Sequence, residues 1–457
     1  MRVALVRPNL ADVRSSDAMQ PLAFAILAGL TPADVELALI DQRLEPIRYE
    51  EPSDLVALSL ETFTARNGYQ IAARFRSRGV PVVLGGYHPT LLPEEALQYA
   101  DAVVVGDAEG LWQQVLNDAR SGRLRGIYRQ PVRPPLSGIT PDRAIFSGKR
   151  YAPLELVQFG RGCRFACDFC SIHAFYGSSL RWRPVDEVVA EIERLSTRRV
   201  LFVDDNLVAD FSRARALFEA LAPLGVRWSG QVSIDVCQDP DLLRQMARSG
   251  CETAVIGLES LDERNLRQMN KPWGLAGGDY AASIRRLQDQ GIMIYGTFVF
   301  GYDYDTADSF DAAVEFALRH RFFLANFNPL TPMPGTALYE RLRGEGRLLF
   351  DRWWLAPGFR YGEAVFRPRR MSPEELTEGC FRARRAFNTC RSVFRRALDW
   401  RTNCRTPGRL GVYLLGNLVS RREIFRKQGL ALGDDGPLPL MEGGRESHAD
   451  QTQYRPA

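Results

Sequence analysis

The sequence lacks a basic stretch followed by an apolar one at its start, since Met1-Arg2-Val3-Ala4-Leu5-Val6 runs straight into a strand-like pattern. No signal peptide is therefore expected. No apolar run reaches the length of a membrane span, so no transmembrane segment is expected either. Five of the eight cysteines, Cys237, Cys251, Cys380, Cys390 and Cys404, are scattered and suggest no disulfide framework. The net charge is only +4, from 59 basic and 55 acidic residues, too small to imply nucleic acid as a partner. A cytoplasmic protein is expected. The 457 residues allow two or three domains, and 25% charged with 45% hydrophobic residues is ordinary for a globular chain.

What is present gathers in one stretch, Gly162-Cys163-Arg164-Phe165-Ala166-Cys167-Asp168-Phe169-Cys170. Its cysteines are spaced Cys-x3-Cys-x2-Cys. Three thiolates so close on one loop can hold three irons of a four-iron, four-sulfur cluster and leave the fourth open to a ligand. A zinc site or a closed cluster would want a fourth ligand. Three buried structural cysteines are the plainer reading, but apolar packing does not call for this spacing between Gly162 and an aromatic. The spacing, with Phe169 just before the last Cys, resembles the signature of the radical S-adenosylmethionine (SAM) enzymes. The resemblance implies that Cys163, Cys167 and Cys170 hold a [4Fe-4S] cluster. It also implies that the open iron binds the amino and carboxylate groups of SAM, and that electron transfer cleaves SAM to a 5′-deoxyadenosyl radical. Such an oxygen-sensitive cluster requires a reducing compartment.

Residues 1–125 alternate strand candidates with helix-length segments. The strands are expected at Arg2–Val6, Val35–Ile40, Leu55–Leu60, Val80–Leu84 and Ala102–Val105. This implies a doubly wound parallel sheet, with ligands outside the carboxyl ends of the strands. Three loops at those ends are informative. Ser59 to Thr62 follow the third strand, Gly85-Gly86-Tyr87-His88-Pro89-Thr90 the fourth, and Gly106 to Glu109 the fifth. Paired glycines let a ligand approach the backbone closely. The string Val83–Thr90, followed by Pro93-Glu94-Glu95-Ala96-Leu97, resembles the cobalamin-binding domain fused to many radical SAM enzymes. That resemblance implies cobalamin contacts from Ser59, Thr62, Gly85, Gly86, Tyr87, His88, Gly106 and Glu109. The Asp-x-His-x-x-Gly motif that supplies an axial histidine in other cobalamin proteins is absent, and Asp41-Gln42-Arg43 stands in its place. His88 reads as a turn-capping residue or as a cobalt ligand.

Residues 126–152 are proline-rich and read as a linker. From 153 to 370 the rhythm returns as six strand–helix units, consistent with the incomplete (β/α)6 barrel of radical SAM enzymes. Polar clusters stand at the carboxyl ends of these strands, where barrel enzymes place their chemistry. Asp204 and Asp205 fall where the superfamily meets the SAM amino group, or Asp205 and Asn206 cap the next turn. Glu259 resembles a strand-four residue that contacts SAM, or forms an ion pair with a neighbouring Arg. Ser233 and Asp235 are further candidates. Pro332-Met333-Pro334-Gly335-Thr336 looks like a family loop over the adenine, or an ordinary proline-rich turn. Residues 371–432 read as helical and basic. Between 391 and 430, ten Arg or Lys face Asp399 and Glu423. This reads as a helical cap with a solvated face, or as a surface for an anionic or lipid-anchored substrate. Residues 433–457 read as a disordered tail.

The family resemblance implies a cobalamin-dependent radical SAM methyltransferase acting on an unactivated carbon of a secondary or lipid metabolite. The implied partners are a small-molecule or lipid-like substrate and an electron donor such as flavodoxin or ferredoxin, with peripheral membrane contact compatible with the charge pattern. A non-methylating radical reaction (cyclisation or hydration) and a cobalamin or redox sensor without turnover are the alternatives. A transfer-RNA methylthiotransferase is disfavoured, because the first 120 residues contain no Cys for a second cluster. No individual catalytic residue is assigned.

Overall fold

Parallel strands joined by helices need both faces of the sheet covered, and the chain meets this need twice. A computed structural model describes residues 1–275 and 279–440. They form two compact units that do not follow chain order. The first comprises Met1–Ala152, Met333–Tyr361 and the described residues from Gly429 on, and the second Pro153–Pro332 and Gly362–Gln428.

In the first unit, β1 (Arg2–Arg7), β2 (Glu36–Asp41), β3 (Leu55–Ser59), β4 (Val82–Gly85), β5 (Ala102–Val105) and β6 (Gly126–Arg129) pair in the order β2-β1-β3-β4-β5-β6. Every pairing is parallel. Val3, Leu5, Ala57, Val83 and Val104 share one buried cluster with Phe24 of the Leu22–Leu30 helix and Trp112 of the Trp112–Arg120 helix. The alternate residues Val56, Leu58, Val82 and Leu84 are buried on the opposite face, and the Ala65–Arg76 helix packs on β3 and β4. The strand order reverses between β1 and β3, so the ligand crevice of such a sheet lies at their carboxyl ends.

Two expected boundaries differ here. The proline-rich stretch expected as a linker supplies β6, because Gly126 to Arg129 are free of proline and can complete the β5 edge. Tyr128 is buried there, and its hydroxyl donates to Asp118 at 2.9 Å. Leu136, Ile139 and Phe146 of the same stretch are also buried. The chain from Gly433 to Gly436 lies against the Ala65–Arg76 helix. The Asp434 carbonyl accepts from Arg66 Nε and Gln70 Nε2, both at 2.9 Å, and Gly433 N donates to the Leu10 carbonyl at 2.7 Å. Residues 441–457, the rest of the expected tail, lie outside the described residues.

The second unit contains β7 (Glu155–Val157), β8 (Gly160–Arg161), β9 (Arg181–Trp182), β10 (Arg199–Phe202), β11 (Arg227–Gln231), β12 (Cys251–Glu259), β13 (Met293–Phe300) and β14 (Leu324–Pro329). Six of them form one parallel sheet in the order β14-β13-β12-β11-β10-β7. With β7 and β14 as its edges, this is the strand set of an incomplete (β/α)6 barrel. β8 and β9 form a small antiparallel ribbon beside the Cys loop. Helices Phe211–Leu221, Pro240–Arg248 and Tyr280–Asp289 each begin on an Asp whose carboxylate accepts a backbone N–H of the first turn. These caps fix where each strand-end loop stops. Helices Pro373–Phe387, Cys390–Ala397 and Pro407–Lys427 follow, and Phe387 packs on Phe327 of β14 at 5.7 Å.

Candidate active site

The Cys loop leaves β8 and is tied down from three strand ends. Asp204, just past β10, accepts from the backbone N–H groups of Phe159 and Gly160. Burial pushes its carboxyl up to about 7. Asp205 accepts from Gly162 N at 2.7 Å. Gly162 has φ +97°, and a Cβ there would stand 2.1 Å from the Ser179 carbonyl oxygen, so only glycine fits. From past β13, the Tyr302 hydroxyl donates to Asp168 at 2.5 Å. From past β12, Asn270 donates to the Ala166 carbonyl at 2.9 Å, and Asp168 N donates to the Met269 carbonyl at 3.0 Å. Phe165 stacks on Trp273 with centroids 3.5 Å apart.

The loop so held presents Cys163 and Cys170 half-buried and Cys167 buried. None is in a disulfide. Burial pushes all three thiols up, Cys167 to about 12, so they ionise only against a strong positive charge such as iron. Backbone N–H groups of Ile172 and His173 reach the Cys170 sulfur, that of Phe165 reaches Cys163, and Asn206 Nδ2 stands 3.9 Å from the Cys163 sulfur. N–H groups aimed at cysteine sulfurs suit cluster ligands, whose negative charge they stabilise. Among the described residues no three His, Cys, Asp or Glu side chains converge as ligands of a single ion. Three separate thiols on one loop match a cluster, in which each binds its own iron.

The other expected SAM residues divide. Asn206 caps the following turn, accepting from Val208 N at 3.3 Å, and binds Ser233 through its Nδ2 at 3.1 Å. Asp235 forms an ion pair with Arg164, whose guanidinium stands 4.9 Å from both the Phe165 and the Phe211 rings. The Asp235 Oδ1 is buried and has no hydrogen-bond partner among the described residues, an orphaned acceptor that suits a ligand donor. Glu259 is buried at the end of β12 with φ +66°, an uncommon conformation for a residue with a side chain. Its carboxylate pairs with Lys271 at 3.0 Å, a lysine rather than the expected arginine, and accepts from Thr297 at 3.4 Å. Pro332 to Thr336 end as a capped turn, with Thr336 Oγ1 accepting from Tyr339 N.

In the first unit, Ser59 and Gly85 are register partners at the carboxyl ends of β3 and β4. A Cβ on Gly85 would meet nothing nearer than 3.9 Å, so this edge is open. Gly106 follows on β5, and its N–H donates to Thr90 at 2.9 Å. Small residues on three adjacent strand ends suit a large planar cofactor lying across them. Gly86 is different. Its φ is +98° and a Cβ would stand 2.7 Å from the Leu60 carbonyl, so the chain's own backbone requires this glycine. Tyr87 and Glu109 are half-buried and Thr62 is buried. His88 is 0% exposed, its Nε2 lies 3.0 Å from Glu95, and its ring packs by Tyr69 and Trp354. The His88 ring is a core group whose Nε2 is occupied by Glu95. Asp41, where the axial-histidine motif would start, is taken by Arg43 at 2.6 Å and by the Tyr151 hydroxyl at 3.0 Å.

Sequence reasoning missed Lys271, Trp273 and Tyr302. Tyr302 stands at a strand's carboxyl end, and that position was its signal. Lys271 lies in a loop beyond β12, and nothing in the pattern marks it.

A family profile described as the Radical SAM superfamily matches residues 157–317. The chain is 31% identical over 405 residues to bacteriochlorophyllide d C-12(1)-methyltransferase of Chlorobaculum tepidum, covering 85% of this chain and 88% of that protein. The chain belongs to the radical SAM superfamily. It is 30% identical to bacteriochlorophyllide d C-8(2)-methyltransferase of the same organism, over 73% of this chain and 78% of that protein. The radical SAM methyltransferase TsrM of Kitasatospora setae, solved with cobalamin and a [4Fe-4S] cluster bound, shares the fold at TM-score 0.61 and 17% identity, covering 83% and 81% of the two chains. The chain is thus a radical SAM enzyme of the group that carries a cobalamin-binding-type domain, and the superfamily's cofactors are a [4Fe-4S] cluster and SAM. Among the described residues no helix is long and apolar enough to cross a membrane.

Proposed function

We propose that this chain is a cobalamin-dependent C-methyltransferase acting on an unactivated carbon of a hydrophobic metabolite, with chlorophyll-type tetrapyrroles the first class to test. The observation that carries it is similarity to a methyltransferase along 85% of the chain, across both units rather than the barrel alone. When bound, the cluster supplies the electron that cleaves SAM, and cobalamin supplies a carrier for the methyl group.

The chain's own residues position and shield. Cys163, Cys167 and Cys170 would each take one iron. Asp204, Asp205 and Tyr302 hold their loop rather than SAM. The orphaned Asp235 Oδ1 accepts a hydrogen bond from SAM. Ser59, Gly85 and Gly106 would be the residues that let cobalamin approach the sheet edge. The electron donor is a flavodoxin or ferredoxin of the cytoplasm.

The test is anaerobic turnover of the reconstituted enzyme with SAM, a reductant and a tetrapyrrole panel beginning with bacteriochlorophyllide d. Methylated product with 5′-deoxyadenosine and S-adenosylhomocysteine in comparable amounts supports the reading. Product and 5′-deoxyadenosine without S-adenosylhomocysteine would replace methylation by a non-methylating radical reaction.

A further inference from the structure

The last helix, Pro407–Lys427, is folded inside out. Arg409, Tyr413, Asn417 and Glu423 are its buried residues. Leu414, Leu415, Leu418 and Phe425, spaced three, four and seven apart, are exposed. A helix docked on a soluble core presents the opposite pattern. The reversal is stable because each inward polar group is matched. Arg409 reaches the Gly291 carbonyl and Glu252, and Asn417 Nδ2 donates to the Phe323 carbonyl at 3.2 Å.

The apolar residues left outside are concentrated. Among the described residues ten large hydrophobics are exposed, and seven of them lie between Phe394 and Phe425. Trp400, at 76% exposure, is one of the two most exposed. The preceding helix packs on the last one, with the Tyr413 hydroxyl donating to the Val393 carbonyl at 2.7 Å, and it adds exposed Phe394 and Leu398. The charge has one sign. Arg391, Arg395, Arg405, Arg421 and Arg422 are exposed, whereas Asp399 and Glu423, the only acids from 391 to 430, are buried.

We propose that this face docks on an anionic lipid bilayer. An apolar helix face flanked by arginines, with a tryptophan at its side, lies in the plane of a lipid interface and gains from negative headgroups. A second copy fits poorly, because an isologous contact would set like charges against each other. The helix lies on the membrane and does not span it.

The proposal does not rest on the methyltransferase reading, because binding is measured without turnover. Full-length holoprotein is sedimented with vesicles of phosphatidylcholine and phosphatidylglycerol in equal parts, and with pure phosphatidylcholine. The expected result is capture by the anionic vesicles that weakens with salt. The R421Q/R422Q variant should bind about 25-fold more weakly, at roughly five-fold per arginine. The W400S/L415S/L418S variant should lose more than about ten-fold. All these side chains are on the surface, so circular dichroism and iron content should match the wild type. Equal capture of wild type and both variants overturns the proposal. So does a wild-type dimer that the serine variant dissociates, without any vesicle capture, which would make the face a self-association surface.

Discussion

Glu259 offers two readings, a direct contact to SAM or one half of a buried ion pair, and its stability separates them. The carboxylate and Lys271 are both nearly inaccessible, at 10% and 7% side-chain exposure, and 3.0 Å apart. Removing one member of such a pair leaves an uncompensated buried charge and costs about 3–5 kcal/mol. Replacing both by neutral groups of similar volume is close to neutral for the same reason. Glu259→Gln and Lys271→Met should therefore each destabilise the second unit by about 3 kcal/mol, while the double variant loses under about 1 kcal/mol. Glutamine keeps the φ +66° backbone, so its strain does not enter the comparison. The chain has two units and need not unfold in one step, so the assay is hydrogen exchange of peptides covering β12 in the apo protein. If Glu259→Gln leaves that protection unchanged but abolishes SAM binding, the pairing argument fails and Glu259 is a ligand contact.

The cluster assignment predicts that replacing Cys163, Cys167 and Cys170 together by Ala abolishes iron binding and its broad absorption, whereas Cys237→Ala and Cys404→Ala retain both. His88→Ala should leave the spectrum of bound cobalamin unchanged but destabilise the first unit by about 2–4 kcal/mol, because it empties a filled core position and strips Glu95 of one partner. A spectral change would make His88 a cobalt ligand. Arg396→Met should cost the second unit about 2–4 kcal/mol in the same exchange assay, since the guanidinium donates to the carbonyls of Phe322, Phe323 and Phe387 and to Asn417. Loss of less than about 0.5 kcal/mol would show that water replaces it.

The alternation of apolar runs and helix-length segments was legible because a parallel sheet covered on both faces leaves no polar face to blur the signal. The three cysteines were legible because their chemistry fixes their spacing. What stayed hidden depends on contacts across the sequence. Gly126–Arg129 is too short to read as a strand until the β5 edge is there to pair it. Asp204 and Asp205 were recognised as strand-end acids, but only the fold shows that their partners are backbone N–H groups some forty residues earlier. The Lys271 partner of Glu259 and the Glu95 partner of His88 are also set by packing, not by pattern. Residues 433–440 have the composition of a tail. Asp434 and Gly436 are held because Arg66 and Gln70 satisfy their backbone groups, and composition does not record that.

The basic stretch near the end shows why counting charge was insufficient. Its arginines have two fates. Arg396 is 1% exposed and has no carboxylate partner among the described residues, and burial lowers its guanidinium to about 10, so it enters the core still charged at neutral pH. The Phe322 and Phe323 carbonyls just before β14 and the Phe387 carbonyl at the end of a helix accept its hydrogen bonds, so this arginine ties the cap to β14. Arg421 and Arg422 stay outside beside Leu418 and Phe425. A net charge of the stretch averages these roles into one solvated face. The direction of the last helix separates them. Once Arg409, Asn417 and Glu423 are turned inward, Leu414, Leu415 and Leu418 can only turn outward, and the exposed arginines become the border of an apolar surface rather than its replacement.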